Sequence, residues 1–147
     1  MPNDGTNEGR ALMLMEELGL ITLSDEATIT ATKLDIVENP HNLDIVEMEA
    51  AQLPRVLGEV DYAVINGNYA IQGGLKIADA LAVENSESES IKNYYVNVLV
   101  VKEGNEDNEA IQALVASLQT QEVADFINSN YDGAVVPMFT VEEAAAE

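Results

Sequence analysis

The chain has 147 residues, 47% of them hydrophobic, which is enough to bury the core of one domain and too little for two ordinary ones. Six basic residues against 27 acidic ones give a formal charge of −21, and this charge disfavours binding to nucleic-acid phosphates or to anionic membrane surfaces. There is no cysteine for disulfide or thiolate chemistry, and the single histidine, His41, cannot build a standard zinc site alone.

The first forty residues favour a helix followed by turns and a second short helix. Thr6 is the expected N-cap of the first helix, and Gly19 is its natural C-terminal stop. Thr32 is expected to cap a brief helix that runs through Val37. Pro40 ends this segment, because a proline disfavours helical geometry at the residue before it.

Strand-like and helix-like segments alternate through the middle of the chain. The predicted strands are residues 43–48, 61–66 and 81–84. The predicted helices are residues 50–57 and 68–75, the second of them broken by Gly73 and Gly74. The strand at 61–66 is apolar enough to be buried, and it ends on Asn66. Strands that alternate with helices predict an α/β architecture.

The last third of the chain contains the strongest strand pattern, at residues 94–102. Its unbroken apolar run at 98–101 predicts burial on both faces, as in a parallel sheet covered by helices. Two helices and a short terminal strand or arm at 134–139 are expected after it. The expected helix boundaries are an N-cap at Asp107 or Asn108, a restart at Thr120 and a stop at Gly133.

Three polar residues occupy positions at which an α/β fold presents ligands. Arg10 lies in the first turn of a helix beside Gly9, Asn66 ends a predicted strand, and Asn97 begins another. A guanidinium pairs bidentately with a carboxylate, and an asparagine amide can bind either an ammonium or a carboxylate. The three residues therefore suit a zwitterionic amino acid. A surface role for Arg10 and a simple turn of Asn66 with Gly67 remain open alternatives.

Enzyme chemistry finds little support in the sequence. Without cysteine there is no Cys–His set, and a Ser–His–Asp set could use only His41, which follows Pro40 in a polar turn. There is no P-loop, and the glycines of residues 67–74 have the wrong spacing for a dinucleotide turn. Some carboxylates must lie close together when there are 27 of them, so their proximity alone would not indicate a mechanism. We expect no catalytic residues, no metal site and no cofactor.

Six segments, in order along the chain, resemble the NlpA/MetQ family of methionine-binding lipoproteins. They are residues 2–12, 35–43, 49–55, 63–70, 95–101 and 133–137. The first reads PNDGTNEGRAL, with Gly5 where the family usually has proline, and the fourth reads AVINGNYA. The ordered set, rather than any one segment, is specific for the family.

The resemblance implies an α/β, periplasmic-binding-protein-like (type II) fold, in which two lobes close on a ligand. It implies a substrate-binding component that delivers L-methionine or a close relative to the permease and ATPase subunits of an ABC importer. By this resemblance, Arg10 would bind the ligand carboxylate, and Asn66 and Asn97 would hydrogen-bond its amino and carboxylate groups. Tyr69 would lie near the same cleft. The sequence does not distinguish L-methionine, D-methionine and a methionyl dipeptide.

The family pattern also suggests how the chain is organised. Residues 1–84 would form most of the second lobe, 85–93 an acidic polar crossover loop, 94–139 a strand and helices that return to the first lobe, and 140–147 an acidic tail. The family's lipid-attachment cysteine and the opening strands of its first lobe lie before the segment that resembles residues 2–12. We therefore expect a partial, binding-impaired fragment of a lipid-anchored extracytoplasmic parent.

The expected fragment has no visible signal or anchor and would be soluble. Its apolar strand at 98–101 would lack neighbours, so we expect either repacking into one compact sheet or pairing with a second copy of the chain. The alternative function is that of a structural or interaction fragment of a truncated gene product, with no ligand of its own.

Overall fold

The structure is a computed structural model that describes residues 1–85 and 91–141. It divides the chain into two units, Met1–Ala80 and Leu81–Glu147. Most of the expected loop at 85–93 and most of the expected tail at 140–147 lie outside the described residues. The assignment of the chain to parts of two lobes stays a prediction.

Helix α1, Gly5–Glu17, is the longest element of the first unit. Its N-cap is Asp4, whose side chain accepts a hydrogen bond of 3.2 Å from the backbone N–H of Asn7. The predicted cap at Thr6 is therefore wrong by two residues. The Asp4 carboxylate accepts from a free N–H group of the first turn, and its negative charge suits the positive end of the helix dipole. Gly19 follows the helix at a φ of +70°, which confirms the predicted stop.

One face of α1 is packed into the core of the first unit. The buried apolar residues of this core are Met1, Ala11, Leu12, Met15, Ile21, Leu23 and Ala31. Gly9 allows the chain to pass directly over the helix, because a Cβ atom at this position would lie 2.4 Å from the carbonyl oxygen of Ile29. Leu12, which is fully buried, contributes roughly 1.5–3 kcal/mol by leaving water.

The sheet in the described ranges has two antiparallel strands, β1 (Thr22–Leu23) and β2 (Ile36–Glu38). Thr32 caps a short 3₁₀ helix, Lys33–Asp35, through a capping box with Asp35, so the predicted cap is confirmed. The predicted continuation of a helix through Val37 is wrong. The β-branched residues that follow the cap enter β2 instead, where such side chains are favoured.

Three further helical segments follow in the first unit. A 3₁₀ helix at Ala50–Arg55 occupies the place of the helix predicted at 50–57. Helix α2, Gly67–Gln72, follows Asn66 and confirms the helix predicted from 68. A further 3₁₀ turn covers Ile77–Asp79.

Most of the predicted strands do not pair within the described residues. Residues 43–48 form no regular strand and make a single parallel bridge, from Met48 to Pro2. Residues 61–66, 81–84 and 134–139 join no ladder in the part of the chain described. Their sequences have strand character, but a strand forms only where a second strand supplies hydrogen-bond partners. Of the two expected alternatives, repacking into one compact sheet is not seen in the described ranges, whose sheet consists of β1 and β2.

The second unit is helical where it is regular. A π-helical turn at Ile91–Tyr95 replaces the start of the strand predicted at 94–102. Helices α3, Glu109–Leu118, and α4, Gln121–Tyr131, have their N-caps at Asn108 and Thr120, as predicted. Asp132 and Gly133 end α4 in the left-handed region. No helix in the described ranges is long and apolar enough to cross a membrane.

The apolar run at 98–101 is not buried on both faces, so this prediction is wrong. Val98 is 74% exposed and Val100 is 81% exposed. Leu114, Leu118 and Phe126 on the two following helices are also exposed. The run lacks the covering layers that would bury it, at least among the residues described.

Candidate functional site

Asn66 connects α2 to the start of α1. It ends the extended segment before α2 and takes the N-cap position of that helix. Its Nδ2 group donates a hydrogen bond of 2.8 Å to Oδ1 of Asn7. The Nδ2 group of Asn7 in turn donates to Oδ1 of Asp4 at 2.9 Å. Three side chains from the two helix starts thus form one hydrogen-bonded chain, which we call the Asp4–Asn7–Asn66 chain.

The orientation of the Asn66 amide follows from this chain. A carboxylate such as that of Asp4 only accepts hydrogen bonds, so it must face the NH₂ group of Asn7. The oxygen of Asn7 then faces Asn66 and must meet the NH₂ group of Asn66. The amide orientation is therefore fixed by chemistry, and the Oδ1 atom of Asn66 points away from Asn7.

The Oδ1 atom of Asn66 is buried, and no donor in the described part of the chain reaches it. Leaving such an acceptor unsatisfied costs about 1–3 kcal/mol. Buried polar atoms of native proteins nearly always have a partner, so an exception calls for an explanation. A donor on a ligand, such as an ammonium group, would supply the missing hydrogen bond.

Arg10 lies on α1 three residues after Asn7 and is half-buried. Residues three apart in an α-helix are neighbours on one face, so Arg10 and Asn7 lie on the same side of α1. The structure thereby places Arg10 and Asn66 on elements joined by the Asp4–Asn7–Asn66 chain. A guanidinium and an open amide oxygen are complementary to the carboxylate and ammonium of an amino acid.

Tyr69 lies in α2 one turn after Asn66 and is half-buried. It lines a shallow recess of about 180 Å³ together with Ala51, Pro54, Arg55, Gln72 and Gly73. The recess lies between α2 and the 3₁₀ helix Ala50–Arg55. Gly73 permits this close packing, because a Cβ atom there would lie 2.6 Å from Cβ of Pro54. The lining does not include Arg10 or Asn66, so the role of Tyr69 at their site stays a prediction.

Asn97 belongs to the second unit, in an irregular segment two residues after the π-helical turn. Its side chain is exposed. The predicted role of Asn97 as a ligand contact rests on the sequence resemblance.

A cluster of charged residues beside the site was not anticipated from the sequence. Glu8, the residue after Asn7, is buried and accepts a hydrogen bond of 3.2 Å from the backbone N–H of Lys33. Burial, followed by a hydrogen bond to Glu47, raises the pKa of Glu8. The hydrogen-bonded ion pair with Lys33 lowers the pKa of Glu47. Within the described ranges, no three acidic or histidine side chains are grouped as a metal would require.

Helical spacing could have revealed Asn7, because it lies one turn before Arg10 on the predicted helix. Nothing in the local sequence indicates the contact of Glu8 with Glu47, 39 residues away. Such a contact depends on how the segment 43–48 passes α1.

The chain is similar to known proteins over nearly its whole length. The family model described as NlpA lipoprotein matches residues 1–139. A probable D-methionine-binding lipoprotein MetQ from Pasteurella multocida is 45% identical over 137 residues, which are 92% of this chain and 48% of that protein. The chain thus spans about half the length of the curated relatives it matches.

Solved structures show the same similarity in three dimensions. A putative lipoprotein from Ruminococcus gnavus is 55% identical, with a TM-score of 0.83 over 93% of this chain and 56% of that one. A nutrient-binding protein from Burkholderia cenocepacia bound to methionine is 39% identical, with a TM-score of 0.77 over 94% of this chain and 57% of that one. The chain, with its mixed helix and sheet, belongs to the NlpA lipoprotein family and has a periplasmic-binding-protein-like fold.

Proposed function

We propose that this chain supplies part of the methionine site of a substrate-binding lipoprotein that serves an ABC importer. The proposal rests mainly on one observation: the Oδ1 atom of Asn66 is buried and has no donor in the described residues. The Asp4–Asn7–Asn66 chain fixes this orientation of the amide. The names of similar proteins support it, since they include a probable D-methionine-binding lipoprotein and a nutrient-binding protein bound to methionine.

Each proposed contact follows from the chemistry of the side chain. Arg10 pairs with the ligand carboxylate through its planar fork. Asn66 accepts a hydrogen bond from the ligand ammonium through Oδ1, since its NH₂ group is already engaged by Asn7. Asp4 and Asn7 do not contact the ligand themselves. They fix which end of the Asn66 amide faces it. Asn97 and Tyr69 are proposed as further contacts on the resemblance alone.

The proposal extends to partners and location through the relatives. A substrate-binding lipoprotein of this family would deliver its ligand to membrane-embedded permease and ATPase subunits, from the extracytoplasmic side and with a lipid anchor. L-Methionine, D-methionine and a methionyl dipeptide share the ammonium group that Asn66 is proposed to bind. The residues described here therefore favour none of the three.

The 147-residue chain by itself should bind these ligands weakly or not at all. A closed binding site usually buries most of a small ligand, and this chain spans only about half the length of its relatives. Contacts from Arg10 and Asn66 alone would leave the thioether side chain of methionine without the apolar enclosure that it needs.

Calorimetry can test the proposal in a chimera. The chimera joins this chain to the part of the Burkholderia cenocepacia protein that the chain does not match, and L-methionine, D-methionine and methionyl dipeptides are titrated into it. Arg10→Ala should weaken binding by about tenfold to a hundredfold, as for a lost hydrogen bond to a charged group. Lys76→Ala, which removes a positive charge from an exposed position of the first unit, is the control and should leave the affinity unchanged.

A folded chimera that binds none of these ligands would refute the assignment of the ligand. Equal losses for Arg10→Ala and Lys76→Ala would show instead that general positive charge, rather than a specific pairing with the ligand carboxylate, matters for binding.

Exposed apolar side chains in the second unit favour a second candidate function, that of an interaction fragment. Val98, Val100 and Phe126 are exposed by 74%, 81% and 58%. Large apolar side chains that are this exposed are typical of surfaces that another chain covers. We propose that a second copy of this chain covers them, so that the 147-residue chain forms a homodimer.

A further inference from the structure

Glu8 is the one buried charged residue among those described, with 6% of its surface exposed. It lies on α1 directly after Asn7 and two residues before Arg10. The backbone N–H of Lys33 donates to its Oε1 atom at 3.2 Å, and Nζ of the same lysine lies 2.7 Å from Oε2 of Glu47. The two carboxyl groups thus meet beside Lys33, and each acts on the pKa of the other as a hydrogen-bond partner. Glu8 therefore ties the first turns of α1 to two other segments of the first unit.

A hydrogen bond between two carboxyl groups requires a proton on one of them, because ionised carboxylates only accept. Glu47 is the better site for the negative charge. Its Oε2 atom lies 2.7 Å from Nζ of Lys33, and that ammonium also donates to the carbonyl oxygen of Ile45 at 3.0 Å. Glu8, buried and without a cationic side chain bonded to it in the described residues, is the better site for the proton.

The electrostatics of the cluster agree with this arrangement. Burial and the hydrogen bond to Glu47 raise the pKa of Glu8, and the bonds to Lys33 and Glu8 lower the pKa of Glu47. The amino group of Met1 is the other charged group nearby. It donates to the carbonyl oxygen of Val46 at 2.8 Å, and burial lowers its pKa.

We propose that Glu8 and Glu47 share one proton, and that this pair is a clamp which positions the first turns of α1, with Asn7 and Arg10, against Lys33 and the segment 45–48. Glu8 and Glu47 are positioning residues, since neither is proposed to touch a ligand. The clamp closes when Glu8 is protonated and loosens when it ionises, because two carboxylates then repel each other in a poorly solvated place. Its consequence for ligand binding rests on the function proposed for Arg10 and Asn66.

The clamp can be tested on the 147-residue chain without any ligand. Side-chain ¹³C resonances of the glutamates and the side-chain N–H resonances of Asn7 and Arg10 are followed by NMR as the pH is raised. Glu8 should titrate above the usual range of a glutamate and Glu47 below it. The Asn7 and Arg10 resonances should shift with the same midpoint as Glu8. An acetylated N-terminus separates this titration from that of the Met1 amino group.

Glu8→Gln is the decisive variant, because its amide copies the protonated acid: the oxygen accepts from Lys33 and the NH₂ group donates to Glu47. The Asn7 and Arg10 resonances should stay at their low-pH positions throughout. Glu26→Gln, an exposed glutamate, should behave like the parent chain. If Glu8→Gln does not fold, Glu47→Gln replaces it and should move the Glu8 midpoint downward, since a neutral amide can donate to ionised Glu8.

A Glu8 midpoint in the usual range would overturn the proposal, as would Asn7 and Arg10 resonances that ignore the Glu8 titration. No movement of the Glu8 midpoint in Glu47→Gln would overturn it as well. None of these results depends on methionine binding, so the clamp and the proposed function can fail separately.

Discussion

The Nδ2 group of Asn66 donates to Oδ1 of Asn7 at 2.8 Å, and the two residues are 59 positions apart in the chain. This bond joins the starts of α2 and α1, where the proposed ligand contacts Arg10, Asn66 and Tyr69 lie. The Asp4 carboxylate only accepts, so it binds the NH₂ group of Asn7, and the oxygen of Asn7 is left to bind the NH₂ group of Asn66. The Oδ1 atom of Asn66 is therefore the one that stays without a donor in the described residues.

The first prediction concerns the strength of this bond. Asn7→Ala should lower the free energy of unfolding by about 1–3 kcal/mol, since it leaves the part-buried Nδ2 group of Asn66 without its acceptor. In a double-mutant cycle with Asn66→Ala, urea unfolding should give a coupling of about 1 kcal/mol. Asn3→Ala, an exposed asparagine just before the helix, is the control and should change little. Strict additivity of Asn7→Ala and Asn66→Ala would mean that the bond does not form in solution.

The second prediction concerns the contact between α1 and the chain that crosses it. Alanine favours a helix over glycine by roughly 0.8–1 kcal/mol, so Gly9→Ala would stabilise α1 in isolation. In the protein, its Cβ atom would lie 2.4 Å from backbone oxygen of Ile29, and backbone cannot turn aside as a side chain can. We expect a net loss of about 1–3 kcal/mol, as for an overpacked core, in urea unfolding.

Gly5→Ala is the matched control for Gly9→Ala. It lies in the same helix, and a Cβ atom there meets nothing within 4 Å. Its stability should be unchanged or slightly increased. A stabilising effect of Gly9→Ala would show that residues 29–31 do not pack on α1 as described.

Local chemistry explains what the sequence could predict of this fold. The caps at Thr32, Asn108 and Thr120 and the stop at Gly19 were predictable, because each depends on one side chain and the backbone next to it. The cap of α1 was misplaced where two suitable oxygens compete within three residues. The nearer one to the free N–H groups, at Asp4, is the one that caps.

Non-local contacts explain what the sequence could not predict. The strands at 61–66 and 94–102 have the right composition, but strand formation needs a neighbour that composition does not provide. At the candidate site, Arg10 and Asn66 could be chosen from their side-chain chemistry and position. Asn7 and Glu8 take their roles from partners 59 and 39 residues away, so only the three-dimensional path of the chain reveals them.

The third prediction is a dependence of stability on pH, for which the sign follows from proton counting. Because the folded pKa of Glu8 is raised, the native state holds more protons than the unfolded state from the usual glutamate pKa up to that raised value. The contribution of Glu8 is therefore greatest below this interval and is lost as the pH rises through it. For Glu47 the pKa is lowered, so its contribution is present above the usual value and is lost as the pH falls.

Thermal unfolding of Glu8→Gln across the pH range checks this sign. Relative to the parent chain, the variant should gain stability progressively as the pH rises above the usual glutamate pKa, because it has no carboxylate to ionise there. Glu26→Gln removes the same charge from an exposed position and controls for the general repulsion in a chain of net charge −21. If both variants follow the same pH profile, general repulsion rather than the Glu8–Glu47 pair sets the dependence.

The fourth prediction concerns association through the second unit. Val100→Asp should weaken the proposed homodimer by tenfold or more, since burial of a valine is worth roughly 1.5 kcal/mol or more and a charge would have to be desolvated in its place. Leu34→Asp, at a side chain that is 95% exposed in the first unit, adds the same charge elsewhere and should have little effect. Light scattering over a range of concentrations measures both.

Salt should strengthen this dimer rather than weaken it. Each copy has a charge of −21, so the two chains repel each other at long range, and ions screen that repulsion while leaving apolar contacts intact. The dimer should therefore be more populated at high ionic strength, and Val100→Asp should remain the weaker associator under both conditions. A chain that stays monomeric at all concentrations and salt levels would show that Val98 and Val100 are simply exposed, and the second copy would then be excluded as their partner.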